Sequence, residues 1–202
     1  MIEIIKGKYK NISMRIDADG NIVVKAPKKT GDEIIYNFIN SHKRWIDKQL
    51  QKKMNEKILK GSFDFENYVY HFGEKILFDK SDKEKILFYH NAVNEVKEMV
   101  KNLSIETNLS FNSLKITNSK RNWGSLDQKK NMKLNLKLVI LRRELVNYVI
   151  LHELCHGVEF NHYKRFWELV QKHCSNYKEL REELKQYGFL LTTNIIWEQC
   201  RC

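Results

Sequence analysis

A single proline and no long apolar run in 202 residues already close off several classes of protein. No stretch approaches the roughly eighteen consecutive apolar residues that a membrane-spanning helix needs. The start, Met1-Ile2-Glu3-Ile4-Ile5-Lys6, lacks the extended apolar core of a signal peptide. A cytoplasmic protein without a membrane partner is the expectation. Four cysteines, at 155, 174, 200 and 202, do not make a disulfide framework in a reducing compartment. No repeat and no low-complexity segment occurs. Hydrophobic residues make up 42% of the chain, enough for one sizeable core, or one core and a small accessory unit, so disorder is excluded. The charge is one-sided, with 36 basic against 25 acidic residues and a formal net charge of +11. This favours polyanions, either nucleotide phosphates or DNA bound non-specifically through a basic surface. The basic residues are mostly Lys, spread along the chain and not interleaved with aromatics, so no dedicated nucleic-acid-reading motif is defined.

The informative stretch is His152-Glu153-Leu154-Cys155-His156-Gly157, which follows the apolar run Val146 to Leu151. The run predicts a buried helix. At 3.6 residues per turn His152 and His156 stand one turn apart on one face, so two imidazoles can converge on one metal ion with Glu153 beside them. Two nitrogen ligands and a carboxylate within reach of a metal-bound water are the requirements of a zinc hydrolase. Zn2+ is therefore the expected cofactor and Glu153 the expected general base. A third ligand is still needed. His162, six residues past His156, supplies it if Gly157, the residue type that best tolerates a left-handed helix end, lets the chain turn back. Cys155 falls on another face and reads as a small buried residue. Glu159 is a candidate acceptor for a free ring nitrogen. Tyr163, Asn122 and Lys164 are candidates for stabilising a developing oxyanion. The competing reading of these residues is an exposed, histidine-rich helix end, or one core histidine satisfied by a backbone carbonyl.

Along the rest of the chain, Ile12, Met14 and Ile16 alternate with polar residues, Asp19-Gly20 signals a turn, and Ile22, Val24 and Ala26 alternate again, predicting a hairpin that Pro27 ends. Thr30 with Glu33 forms a capping-box pattern, and a helix follows to about residue 54 with Ile35, Phe38, Ile39, Trp45, Ile46 and Leu50 on its buried face. Three stretches, Tyr68 to Phe72, Ile76 to Phe78 and Ile86 to Phe88, predict a meander. From Asn91 to about Ile105 the spacing of Val93, Val96, Val100 and Leu103 predicts an amphipathic helix. Short strands are expected at Leu114 to Thr117 and Asn131 to Leu136, joined by a polar loop holding Trp123-Gly124-Ser125. A helix near Tyr163 carrying Phe166, Trp167 and Val170, and a last one capped by Asn176 with Glu179, complete the pattern. The expected division is an N-terminal αβ region, 1–90, a hydrolase domain, 91–188, and a frayed tail, 189–202, in which Cys200 and Cys202 are too few to hold a metal.

Trp123-Gly124-Ser125, Asn131-x-x-Leu134-Asn135, the stretch Tyr148 to His156, Asn161-His162 and Phe166-Trp167 together resemble the YgjP-like metallopeptidase family, related to the WLM and SprT-like zincins. The resemblance covers roughly residues 9 to 188. It departs at Asn122 and Leu126, where the family has Arg before and Cys after Trp-Gly-Ser, and at Tyr163, a position often Ser. It implies an α+β fold with a zincin-like catalytic domain, the metal helix packed on a short mixed sheet, behind an N-terminal region of hairpin, helix and meander. It implies a peptide substrate paired along the strand nearest the metal, for which residues 132 to 136 are the candidate. Activities linked to the family leave a peptidase, the favoured reading, beside a pyrophosphatase of nucleoside triphosphates of the UTP type. A non-catalytic zinc-containing adaptor for nucleic acid is the remaining alternative, disfavoured because structural zinc is normally closed by four protein ligands.

Overall fold

The computed structural model describes residues 1–17 and 19–194, which divide into two units, Met1–Ser62 and Phe63–Cys202. The first unit is a three-stranded sheet with two helices. Strands β2 (Ser13–Ile16) and β3 (Ile22–Pro27) form the expected hairpin, antiparallel with Met14 opposite Val24. Asp17 holds its turn by accepting from the Asn21 and Asp19 amides, and Gly20 takes φ +87. A further strand, β1 (Ile2–Gly7), pairs in parallel with β3, so the sheet order is β1-β3-β2. Its partner lies twenty residues away in register, Ile2 opposite Ile22, a non-local pairing that alternation within a short window does not reveal.

The helical part differs from the expected single helix. It is split into α1 (Asp32–Ser41) and α2 (Lys43–Gly61), because the Ser41 hydroxyl and the His42 ring both bond back to the Phe38 carbonyl and compete with the helical ladder. The helix starts at a Gly31 cap with no side-chain hydrogen bond, so Thr30 and Glu33 form no capping box. Ile35, Ile39 and Ile46 are buried against Val24 and Ala26. Trp45, expected in this core, is 40% exposed.

The second unit begins at Phe63, so the boundary at 90 is corrected. Val69, Tyr70, Phe72 and Tyr89 belong to the same core as the helix that follows them. The meander is a two-stranded hairpin of β4 (Tyr68–His71) and β5 (Glu74–Leu77), turned by Phe72 and Gly73, both at positive φ. Residues 86–88, expected as its third strand, lie instead in α3 (Asp82–Thr107). Ser81 and Glu84 form a capping box that starts this helix earlier than its apolar period suggests. Tyr89, Val93, Val96 and Val100 make its buried face, and Asn108 closes it at φ 56.

Strands β6 (Ser113–Thr117), β7 (Gly124–Leu126) and β8 (Asn131–Asn135) form a mixed sheet in the order β6-β8-β7, with β6 parallel and β7 antiparallel to β8. A 3-10 turn, Leu136–Ile140, leads into α4 (Arg143–His156), whose residues Leu145, Val146, Val149, Ile150, Leu151, Leu154 and Cys155 are all buried. A helix apolar on nearly every side is a central one, and the other elements of this unit cover it. α5 (Lys164–His173) and α6 (Tyr177–Gln186) pack on α4, burying Phe166, Val170 and Leu180. Asn176 caps α6 without a side-chain hydrogen bond. The start of the expected frayed tail is ordered. Tyr187–Thr192 is a 3-10 helix with Leu190 and Leu191 buried, and the buried Lys137 ammonium donates to the Leu191 and Thr193 carbonyls. Cys200 and Cys202 lie outside the described residues.

Candidate metal centre

α4 ends at the site. Its last turn presents His152 and His156, with ring centroids 4.9 Å apart. Gly157 closes the helix at φ −68, so it is not the left-handed cap expected from its type. Its small size matters for another reason: a Cβ there would come within 3.1 Å of the Leu154 carbonyl and 3.3 Å of the Ser110 carbonyl. The chain then turns, and His162 returns to 5.0 Å from His152 and 4.6 Å from His156 between ring centroids. The Trp167 indole N–H donates to the His162 carbonyl at 3.1 Å and holds this return in place.

Each imidazole offers a nitrogen, and no two of these lie further apart than 4.8 Å. The Nε2 atoms of His152 and His162 are 3.0 Å apart, against about 3.4 Å for two nitrogens at zinc distance in a tetrahedron. His156 donates from Nδ1 to the Glu159 backbone carbonyl at 3.1 Å, which leaves its Nε2 free to ligate. The acceptor foreseen at Glu159 is thus its main chain. His152 Nδ1 is buried with no partner among the described residues. Phe166, fully buried, lies 4.4 to 4.9 Å from all three imidazoles and forms an apolar floor beneath them.

The electrostatics suit a cation. Burial, then the His156 and His162 rings and Arg181, push the His152 imidazole down to about 3. Burial likewise lowers His156 and His162. All three are neutral near pH 7, the form that binds metal. Glu153 is buried beside them, and burial pushes its carboxyl up to about 8. A cation at the imidazoles would draw that value down again. These residues fit a divalent ion with an open side, since His152 and Glu153 line a cleft of about 240 Å³ together with Asn122, Trp123, Gly124, Tyr148, Val149 and Leu184.

The Trp-Gly-Ser loop has a structural reason to be here. A Cβ on Gly124 would stand 2.7 Å from Glu153 Cγ and 2.8 Å from its Oε1, so only glycine lets β7 lie against this carboxylate. Asn135 staples the loop by donating to the Ser119 and Asn122 carbonyls, while its own amide donates to the Trp123 carbonyl. Gly124→Ala is expected to displace the Glu153 carboxylate and lower kcat by about a hundredfold, the effect typical of a misplacement of ~1 Å. Metal content, measured alongside by elemental analysis, should be unchanged.

Of the three oxyanion candidates only Asn122 reaches the cleft. Tyr163 is 76% exposed, and Lys164 pairs with Glu168 at 3.6 Å on the surface of α5. The residue missed is Tyr148, one turn before His152 on α4, which lines the cleft and has no hydrogen-bond partner among the described residues. Burial pushes its phenol up to about 12, so it stays protonated and able to donate. It sits inside an apolar run, and its i, i+4 spacing to His152 was the only sequence signal that could have found it. The expected substrate strand is also corrected. β8 is paired on both sides, and the sheet edge beside α4 is β7.

Fold and site together define a zincin-like protein: a His-Glu-x-x-His helix, a later His, and a short mixed sheet with one edge against the motif. The sequence model of the YgjP-like metallopeptidase domain matches residues 10–90 and 79–187, and the chain belongs to that family. Among solved structures it is similar to the metallopeptidase zymogen abylysin of Pyrococcus abyssi, with 20% identity and a TM-score of 0.41 over 50% of this chain and 98% of that one. It is also similar to the metallopeptidase zymogen jannalysin of Methanocaldococcus jannaschii, with 25% identity and a TM-score of 0.40 over 45% of this chain and 88% of that one. No curated protein matches the chain. No helix among the described residues is long and apolar enough to cross a membrane.

Proposed function

We propose that this chain is a zinc-dependent peptidase in which His152, His156 and His162 hold the metal and Glu153 is the general base. The observation that supports this most is the buried Glu153 carboxylate, held against the Gly124 backbone beside three neutral imidazoles and lining, with His152, an open cleft. A zinc ion held there would supply a Lewis acid that acidifies a water and polarises a peptide carbonyl. Glu153 would take a proton from the attacking water as the water's oxygen bonds to the carbonyl carbon. The same carboxyl then gives the proton to the amide nitrogen as the C–N bond breaks.

Tyr148 is the proposed donor to the oxygen that gains negative charge, since its free hydroxyl belongs to the same cleft. Tyr148→Phe should lower kcat by about a hundredfold, the usual loss for one such donor. KM and zinc content should stay within about twofold, because the phenyl ring still fills its place against His152. The open edge of β7 is the proposed track for the substrate, an extended segment of unfolded protein adding to the sheet by main-chain pairing. Three imidazoles beside a cleft that His152 and Glu153 line weigh against a structural zinc in an adaptor. The reading is tested by incubating zinc-loaded protein with a denatured protein, with and without chelator. Fragments that vanish on chelation and return with zinc are expected. Release of phosphate or pyrophosphate from nucleoside triphosphates, with the protein left whole, would replace the peptidase by a nucleotide hydrolase.

A further inference from the structure

Beside the metal centre lies a second groove, of about 320 Å³, lined by Trp167, Tyr177, Lys178, Arg181 and Glu182. Trp167 joins the two. Its ring stacks on His162 at 5.5 Å and on Tyr177 at 5.4 Å between centroids, and the Arg181 guanidinium lies 4.6 Å over it. α6 borders both spaces, because Leu184 in the cleft and Arg181 in the groove are three residues apart on one of its faces.

The charges of the groove are unevenly matched. Glu182 pairs with Lys185, and the neighbouring Glu183 pairs with Arg142. Lys178 lies 5.9 Å over the Tyr177 ring. Arg181 makes no ion pair with any described residue. Its planar fork is held on an aromatic shelf with its donors unused by the described residues, which is how arginine is presented when it recognises a planar anion through two parallel hydrogen bonds.

We propose that Arg181 and the Trp167–Tyr177 shelf form a substrate subsite that takes a carboxylate of the peptide chain. This rests on the peptidase reading and names the substrate class within it. The reach of the subsite follows from length. Arg181 stands within about 10 Å of the His162 ring, and an extended peptide advances roughly 3.3–3.6 Å per residue, so the carboxylate belongs to a residue within about three of the scissile bond. It is either an Asp or Glu side chain or the chain's own C-terminus.

Two sets of peptides separate the sources of the carboxylate. One carries Glu at each of the three positions on either side of a fixed bond, with the C-terminus amidated. The other carries Gln at those positions, with the C-terminus free or amidated. Binding is measured by fluorescence polarisation on zinc-loaded Glu153→Gln protein, and kcat/KM on the wild type. An acidic peptide should be preferred over its neutral, amidated counterpart by about fivefold, the upper range for a solvent-exposed ion pair. Arg181→Gln should bring that ratio to about one, and Arg181→Lys should leave part of it. Preference for Glu at one position assigns the subsite to a side chain, and preference for the free C-terminus assigns it to the chain end. An unchanged ratio in Arg181→Gln protein that still holds one zinc overturns the proposal. So does a tighter Arg181-dependent grip on a nucleoside triphosphate than on any acidic peptide. If the wild type cleaves none of the peptides, the peptidase reading fails, while the binding ratio still decides whether Arg181 recognises a carboxylate.

Discussion

Glu153→Gln protein is expected to bind zinc as the wild type does and to lose peptide hydrolysis by two to four orders of magnitude, roughly the range for an acid-base group. Glutamine has almost the same volume, so it fills the space against Gly124 without disturbing α4. What it lacks is an oxygen that can take a proton. The side chain is buried, and its carboxyl shares that site with no other carboxylate among the metal-centre residues, so no neighbour stands ready to replace it. The substitution also removes a group that burial penalises when charged. The protein should therefore melt at the same temperature as the wild type or higher. A fall in activity together with a fall in melting temperature would point to a structural role for Glu153.

His162→Ala should lose the metal without losing the fold. A structural zinc held by four ligands is bound by roughly 10–16 kcal/mol, so one ligand is worth about 2.5–4 kcal/mol, a loss of about a hundred- to a thousandfold in affinity. The imidazole lies on an exposed return segment, and the Trp167 indole bonds to its backbone carbonyl and not to its ring. The main chain at 162 should therefore stay where it is. Far-ultraviolet circular dichroism with and without chelator checks this, beside elemental analysis of both proteins purified without added metal. Equal zinc in the two would remove His162 from the ligand set. His156→Ala should lose metal to the same extent.

What could be read from the sequence follows the range of the interactions involved. The buried helix α4 and its two histidines one turn apart were legible because they depend only on helical period and on an apolar run. Cys155, fully buried between them, likewise followed from local pattern. The contact of Gly124 with Glu153 was not legible, since it joins residues almost thirty apart across a strand and a helix. The same limit hid β1, whose parallel partner is remote, and the edge position of β7, which depends on the order of strands in the sheet. Two other departures arose where one local signal outweighed another. Ser81 and Glu84 start a helix through residues whose composition favours strand, and Ser41 with His42 interrupts one whose apolar period runs on. Tyr148 was overlooked because an aromatic inside an apolar run reads as packing until a cleft is found beside it.

The most direct test of the account is to incubate wild-type and Glu153→Gln proteins, each carrying one equivalent of zinc, with a denatured protein in water enriched in oxygen-18. Mass spectrometry then reads the new carboxyl ends. The wild type should yield fragments carrying one heavy oxygen at each new C-terminus, through attack of water on the peptide carbonyl, and Glu153→Gln should yield at least about a hundredfold less. Labelled fragments in equal amount from both proteins would contradict the role given to Glu153. Nucleotide turnover that depends on Glu153, with the denatured protein intact, would contradict the peptidase itself.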